Sequence, residues 1–138
     1  MGKNILKTKL EPMEKAASKR GQRKLDLRGK YADHDAAKLP YEDGYAYTIL
    51  LGPYLCTTKS LSQGLSEVSR VLRPGGHVVG AVWTRQGRDY ERAKGLFYFA
   101  AKELSTALRK GYTIIEEKPV FSRPPDKQLV AFHLEKPK

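Results

Sequence analysis

The chain has a single cysteine, Cys56, so no disulfide can close within it. That usage fits a reducing, intracellular compartment, and a lone thiol suits a small buried hydrophobe. No apolar run approaches the roughly 18 to 20 residues that cross a bilayer, which excludes a helical membrane span. Histidine is scarce too: His34, His77 and His133 are scattered without metal-ligand spacing, and no metal site is expected. Residues 1–30 lack the continuous apolar segment of a secretory leader, and Leu6 stands where an N-myristoylation motif needs Ser or Thr. Internal repeats and low-complexity tracts are absent.

Acidic residues are in short supply. Fifteen Asp and Glu face 26 Lys and Arg, for a net charge of +11 over 138 residues. The excess is uneven. Residues 1–30 hold ten Lys or Arg against Glu11, Glu14 and Asp26, a net +7. A basic arm of this kind displaces counterions from phosphates, which points to a polyanionic partner, RNA above all. Its candidate nucleic-acid contacts are Lys15, Lys19, Arg20, Arg23, Lys24 and Arg28. The arm reads as irregular, with short helices on either side of Pro12 and too few large apolar residues to fold alone.

Beyond the arm there is room for one domain. Leu61, Leu65, Val68 and Leu72 recur at helical spacing, Pro74 stops that helix, and Gly75-Gly76 permit a reversal. His77 to Trp83 then reads as a strand covered on both faces. Tyr47 to Gly52 is a second short buried strand. Arg92 to Arg109 reads as an amphipathic helix that Gly111 ends. Tyr112 to Val120 and Gln128 to Glu135 read as an antiparallel pair. Helices alternating with buried strands predict an α/β sheet.

Two segments carry a family resemblance. Glu67 followed by Arg70-Val71-Leu72-Arg73-Pro74-Gly75-Gly76 resembles the segment before the fifth strand of class I S-adenosylmethionine-dependent methyltransferases. Asp35-Ala36-Ala37-Lys38-Leu39-Pro40-Tyr41-Glu42-Asp43-Gly44 resembles the turn that closes over the cofactor's adenine in that family. The resemblance implies a truncated Rossmann-like methyltransferase sheet over residues 31–138. Its strands are equivalent to the family's fourth, fifth, seventh and sixth, and the basic arm of residues 1–30 precedes it. It also implies S-adenosylmethionine as the family's cofactor, with Asp35 on the adenine amino group and the Ala36 amide on a ring nitrogen, while this chain alone is expected to bind none.

The departures from the family pattern matter as much. Before the fourth strand the family has Phe-Asp, and here Ala46-Tyr47 stand instead. The family's first strand runs into a Gly-x-Gly-x-Gly loop whose amides approach the cofactor, yet upstream of Asp35 the only glycines are Gly2, Gly21 and Gly29. No catalytic residue is assigned. In the family the first strand lies beside the fourth. Without it, Tyr47 to Gly52 becomes an open edge, and another protein chain, a second copy or a rearranged segment is expected to cover it. These features lead to two expectations. One is a methyltransferase-like protein inactive on its own, a basic subunit of a ribonucleoprotein or other assembly. The other is a methyltransferase completed by a partner chain or a longer product.

Overall fold

The apolar run from Val78 to Val82 lies at the centre of a seven-stranded sheet, in a computed structural model that describes residues 2–27, 38–51, 61–85, 89–91, 96–124 and 127–138. In chain order the elements are α1 (Gly2–Ala17), β1 (Lys24–Asp26), β2 (Ala46–Leu51), α2 (Leu61–Val71) and β3 (Leu72–Arg85). There follow β4 (Asp89–Glu91), β5 (Leu96–Ala100), α3 (Ala101–Gly111), β6 (Thr113–Arg123) and β7 (Lys127–Glu135). β1, β2 and β3 are parallel neighbours, and β7 lies antiparallel to β3 with β6 outside it. Thr84 faces Gln128 of β7 on one side and Phe99 of β5 on the other. The short β4–β5 pair therefore continues the sheet along β3 beyond the point, at Gly80, where β2 stops.

Alternation along the strands feeds two cores, because successive side chains point to opposite faces. Ile49, Val78, Val82, Phe132 and Leu134 pack beneath α2 and α3. Leu50, Val79, Ala81 and Ala131 pack beneath α1, which contributes Leu10, Met13 and Ala17 at a spacing of three and four residues. A sheet covered on both faces needs apolar residues at every position, which is why β3 reads as an unbroken run.

The segment read as an irregular arm differs from that expectation. It forms one helix through the exposed Pro12, then a strand. Burial of Leu10, Met13 and Ala17 against the sheet outweighs the proline's missing amide. Thr48 Oγ1 donates to the Ala17 carbonyl at 2.8 Å and ties down the helix end. Of the covers expected for β2, the partner chain and the second copy are corrected: a segment of this chain, β1, takes the place. Lys24, Leu25 and Asp26 stand opposite Thr48, Ile49 and Leu50. The arm is polar in composition, but Leu25 and Leu27 alternate with Lys24 and Asp26 and so bury one face.

Two boundaries also move. Arg92 to Arg109 is not one helix, since Leu96–Ala100 is strand β5 and α3 begins at Ala101. The run Leu96-Phe97-Tyr98-Phe99 favours a strand more than its helical spacing favours a helix. Leu72 belongs to β3, and Pro74 sits within a bulge: between two register pairs β2 advances from Ala46 to Thr48 while β3 advances from Leu72 to His77. Gly75 takes a φ of +78°, and the bulge is closed by Gly75 N to Lys136 O and Lys136 N to Gly76 O, both at 2.9 Å. A proline is tolerated there because the ladder is already interrupted. The paired strands β6 and β7 match the expected hairpin, and β7 lies beside β3 as the resemblance implies.

Pairing of β3 with β7 also brings together His77 and His133, whose spacing in sequence gave no hint of it. His77 Nδ1 lies 2.8 Å from His133 Nε2, and His77 Nε2 lies 3.5 Å from Glu135 Oε2. Among the described residues no third ligand joins them to make a metal group. Burial, with His77 as a second cause, pushes His133 below the ordinary histidine value of 6.5. The unfolded chain then binds the proton more readily than the folded one, so this contribution to stability is complete above pH 6.5 and lost as pH falls below it. Urea midpoints measured between pH 7.5 and 5.5 are expected to fall for the natural chain and to fall less for His133→Leu.

Candidate functional site

Ligands of open α/β sheets bind outside the carboxyl ends of the strands. Here those ends are Asp26 of β1, Leu51 of β2 and Arg85 of β3. Just past β1, Leu27 donates its amide to the Leu50 carbonyl at 2.8 Å, and its side chain is fully buried in the core below α2 and α3. The strand beside β2 thus ends in a packed leucine. Asp35 and Ala36, the residues implied to hold adenine, lie outside the described residues, as do Arg28 and Gly29.

The turn that follows Asp35 and Ala36 in sequence is described, and α2 holds it firmly. Leu39 is buried, and side chains of α2 bind both its backbone groups. Its amide donates to Glu67 Oε1 at 3.2 Å, and its carbonyl accepts from Arg70 Nη2 at 3.1 Å. Arg70 donates to Glu67 through Nε at 2.9 Å and again through Nη2, and its Nη1 meets Asp43 Oδ1 at 2.7 Å. At the far end of the turn, Gly44 N donates to Arg70 O at 2.9 Å and Arg73 Nε donates to Gly44 O at 3.2 Å. Glu67, Arg70 and Arg73 belong to one motif and the Leu39–Gly44 turn to the other. Their co-occurrence has a mechanical reason: the first motif clamps the second.

The hydrogen bond from Arg70 holds the Glu67 carboxyl below its ordinary value of 4.5, and the Leu39 amide adds to the effect against the opposing influence of burial. A depressed carboxylate contributes stability that is present above the unfolded value and lost as pH falls through the folded one. The stability gap between the natural chain and Glu67→Gln is therefore expected to be largest near neutrality and to narrow as pH falls below the ordinary carboxylate value of 4.5. Denaturant midpoints at pH 7, 5 and 3.5 measure it, and a gap that stays constant with pH would show that the charge is not what clamps the turn.

The candidate nucleic-acid residues lie at the other end of the sheet. Lys15 is in the last turn of α1, while Lys19, Arg20 and Arg23 occupy the turn into β1 and Lys24 is its first residue. All five are exposed at the amino ends of the parallel strands. Arg23 is braced: its guanidinium carbon stands 4.3 Å over the Tyr45 ring, Nη1 donates to Tyr45 O at 3.3 Å, and its carbonyl accepts from the amides of Tyr47 and Thr48. Neighbouring residues join the same end: Arg73, whose Nη1 donates to Gln22 Oε1 at 3.3 Å, and Lys138, whose side chain lies along Gly75. Lys136 Nζ turns inward and caps the end of α2, binding the carbonyls of Ser69 at 2.7 Å and Leu72 at 2.9 Å. Sequence reading missed Arg73, Tyr45 and Lys138. Arg73 was hidden inside a fold motif, and the other two become neighbours of the turn only through strand pairing.

Parallel strands with helices on both faces, and an antiparallel last strand inserted beside the middle one, define a Rossmann-like α/β protein. A family model described as a methyltransferase domain matches residues 2–80, more than half of the chain, and the chain belongs to this family of S-adenosylmethionine-dependent methyltransferase domains. The match takes in residues 2–30, ahead of Tyr31, where the motif resemblance starts. Among solved structures, the cyclase SpnF superposes with a TM-score of 0.64 at 20% identity, covering 75% of this chain and 54% of that one. A Burkholderia thailandensis 1,6-didemethyltoxoflavin-N1-methyltransferase, solved with S-adenosylhomocysteine, gives 0.58 at 18% identity, covering 75% and 48%. A putative methyltransferase of Haloferax volcanii, solved with a methyltransferase activator, gives 0.55 at 15% identity, covering 75% and 60%. This chain therefore spans about half to three fifths of those chains. No curated protein matches the sequence.

Proposed function

We propose that this chain is a methyltransferase-like protein without catalytic activity on its own, serving as a basic subunit of a ribonucleoprotein or comparable assembly. The observation that carries the reading is the identity of the strand beside β2. In the family that place belongs to the strand whose glycine loop receives the methionine end of the cofactor. Here β1 holds it, Leu27 packs into the core directly after it, and Gly29 is the sole glycine of the next several residues. Glycine amides permit the close approach that a buried leucine does not. The described residues thus do not fit the methionine end of S-adenosylmethionine. One domain fold hosts many activities, as a neighbour named a cyclase illustrates. The net +7 of residues 1–30 supplies the affinity for a polyanion.

A second reading, a methyltransferase completed by a partner, is favoured by one observation. Glu67 and Arg70 still clamp the turn that follows the adenine-closing residues, and the Haloferax neighbour was solved with an activator protein. Calorimetric titration of the isolated chain with S-adenosylmethionine tests the first reading. No heat is expected, and saturable binding at micromolar concentration would overturn the proposal in favour of the second reading.

A further inference from the structure

We propose that the amino-terminal end of the sheet is a single-strand nucleic-acid surface built jointly by the α1–β1 turn, Arg73, Lys138 and the Arg23–Tyr45 stack. The inference rests on the proposed assembly role and gives its partner a chemistry and a place. Four features carry it. Arg20, Arg23, Lys24, Arg73 and Lys138 are exposed at one end of the molecule, and among the described residues none of them is paired with a carboxylate. Two acids of the adjoining segments have other partners: Asp43 is engaged by Arg70, and Glu135 lies beside His77.

The second feature is continuity. Arg73 reaches Gln22 in the turn between Arg20 and Arg23, and Lys138 lies along Gly75, two residues from Arg73. The track therefore crosses from the N-terminal segment to the C-terminal one. Third, the guanidinium of Arg23 is held in place by the Tyr45 ring beneath it and the Tyr45 carbonyl beside it, and Tyr41 supports Tyr45 with ring centroids 5.0 Å apart. Its outer face is a preorganised plane on which an unpaired base can stack. The fourth feature is location: this end is opposite the carboxyl ends of the strands, so binding here leaves the ligand-facing end of the fold open.

A membrane surface would need only the charge, whereas a stacking plane has a use only for bases. The favoured ligand is thus single-stranded RNA or DNA, bound with little sequence preference and strong salt dependence.

The test uses the full chain and fluorescence anisotropy with a labelled uridine 20-mer across 50 to 300 mM salt, alongside a 20-base-pair DNA duplex and vesicles of phosphatidylcholine with phosphatidylserine. Arg23→Lys keeps the charge and removes the plane. It is expected to weaken the 20-mer about tenfold while leaving duplex binding unchanged. Arg73→Gln with Lys138→Gln is expected to weaken the 20-mer and to lower the salt slope by about two. Circular dichroism confirms that each variant folds. Unchanged 20-mer affinity in both variants, with Lys19→Gln/Arg20→Gln still weakening it, would overturn the joint surface and leave the assembly role standing. Vesicle binding that Arg23→Lys does not affect, in the absence of oligonucleotide binding, would overturn the choice of nucleic acid. Binding of S-adenosylmethionine by the isolated chain would instead sink the assembly reading without touching this surface.

Discussion

Gly76→Ala is expected to destabilise the protein by about 3 kcal/mol, lowering the melting temperature by roughly 10 °C. A Cβ built at Gly76 stands 2.7 Å from the Tyr47 carbonyl oxygen, 2.8 Å from the Arg73 carbonyl oxygen and 2.9 Å from Leu72 Cδ1. Two of the three are backbone atoms, on β2 and in the bulge itself, and neither can swing aside as a side chain would. The methyl group must separate β2 from β3 or open the bulge, which the hydrogen bond from Lys136 N to Gly76 O helps to close. Gly111→Ala is the matched control. It has no heavy atom within 4 Å and no positive φ, so it is expected to be neutral or to stabilise by less than about 1 kcal/mol. Denaturant unfolding of both variants measures the difference, and a Gly76→Ala midpoint indistinguishable from the control would refute the close packing at the bulge.

The second large effect is expected at Leu27. Truncating a fully buried leucine to alanine typically costs about 3 kcal/mol. Leu27→Ala carries a further consequence, because β1 is short and is held largely by Leu25 and Leu27. Its loosening frees the amides of Tyr47 and Thr48, which donate to the Arg23 carbonyl, and bares the edge of β2. Hydrogen exchange at Tyr47 and Thr48 is expected to accelerate well below the denaturant needed for global unfolding, with concentration-dependent self-association. The surface variant Lys24→Gln should show neither effect. If exchange at those two amides follows only global unfolding in Leu27→Ala, β1 does not guard that edge independently.

These two sites also show what a linear sequence can and cannot reveal. The helix before Gly75 and Gly76 and the buried strand after them were legible because proline, glycine and apolar periodicity act locally, whereas the bulge that holds Pro74 depends on pairing with β2. The antiparallel β6–β7 pair was legible for the same reason. β1 was not, because Lys24-Leu25-Asp26-Leu27 becomes a strand only once β2 supplies its partner, and two leucines are a weak local signal. The strand Leu96–Ala100 was misread because leucine, phenylalanine and alanine at that spacing suit a helix as well as a strand. At the carboxyl end, motif likeness identified the turn after Ala36, and only coordinates show that Glu67 and Arg70 grip both backbone groups of Leu39. At the amino end, the charged turn was visible in composition. Arg73 and Lys138 join it through contacts spanning fifty residues or more, beyond the reach of any local pattern.

The position of β7 has a consequence for how this chain is made. The strand β7, which follows every other described strand in the sequence, is an interior one, lying between β3 and β6 rather than at the rim. Until Gln128 to Glu135 have left the ribosome, one whole side of β3 has no partner and β6 has nothing to pair with. Closure of the sheet therefore waits for β7, and until then the nascent chain carries a long unsatisfied apolar strand. Deleting residues 127–135 would remove a central stave of the sheet.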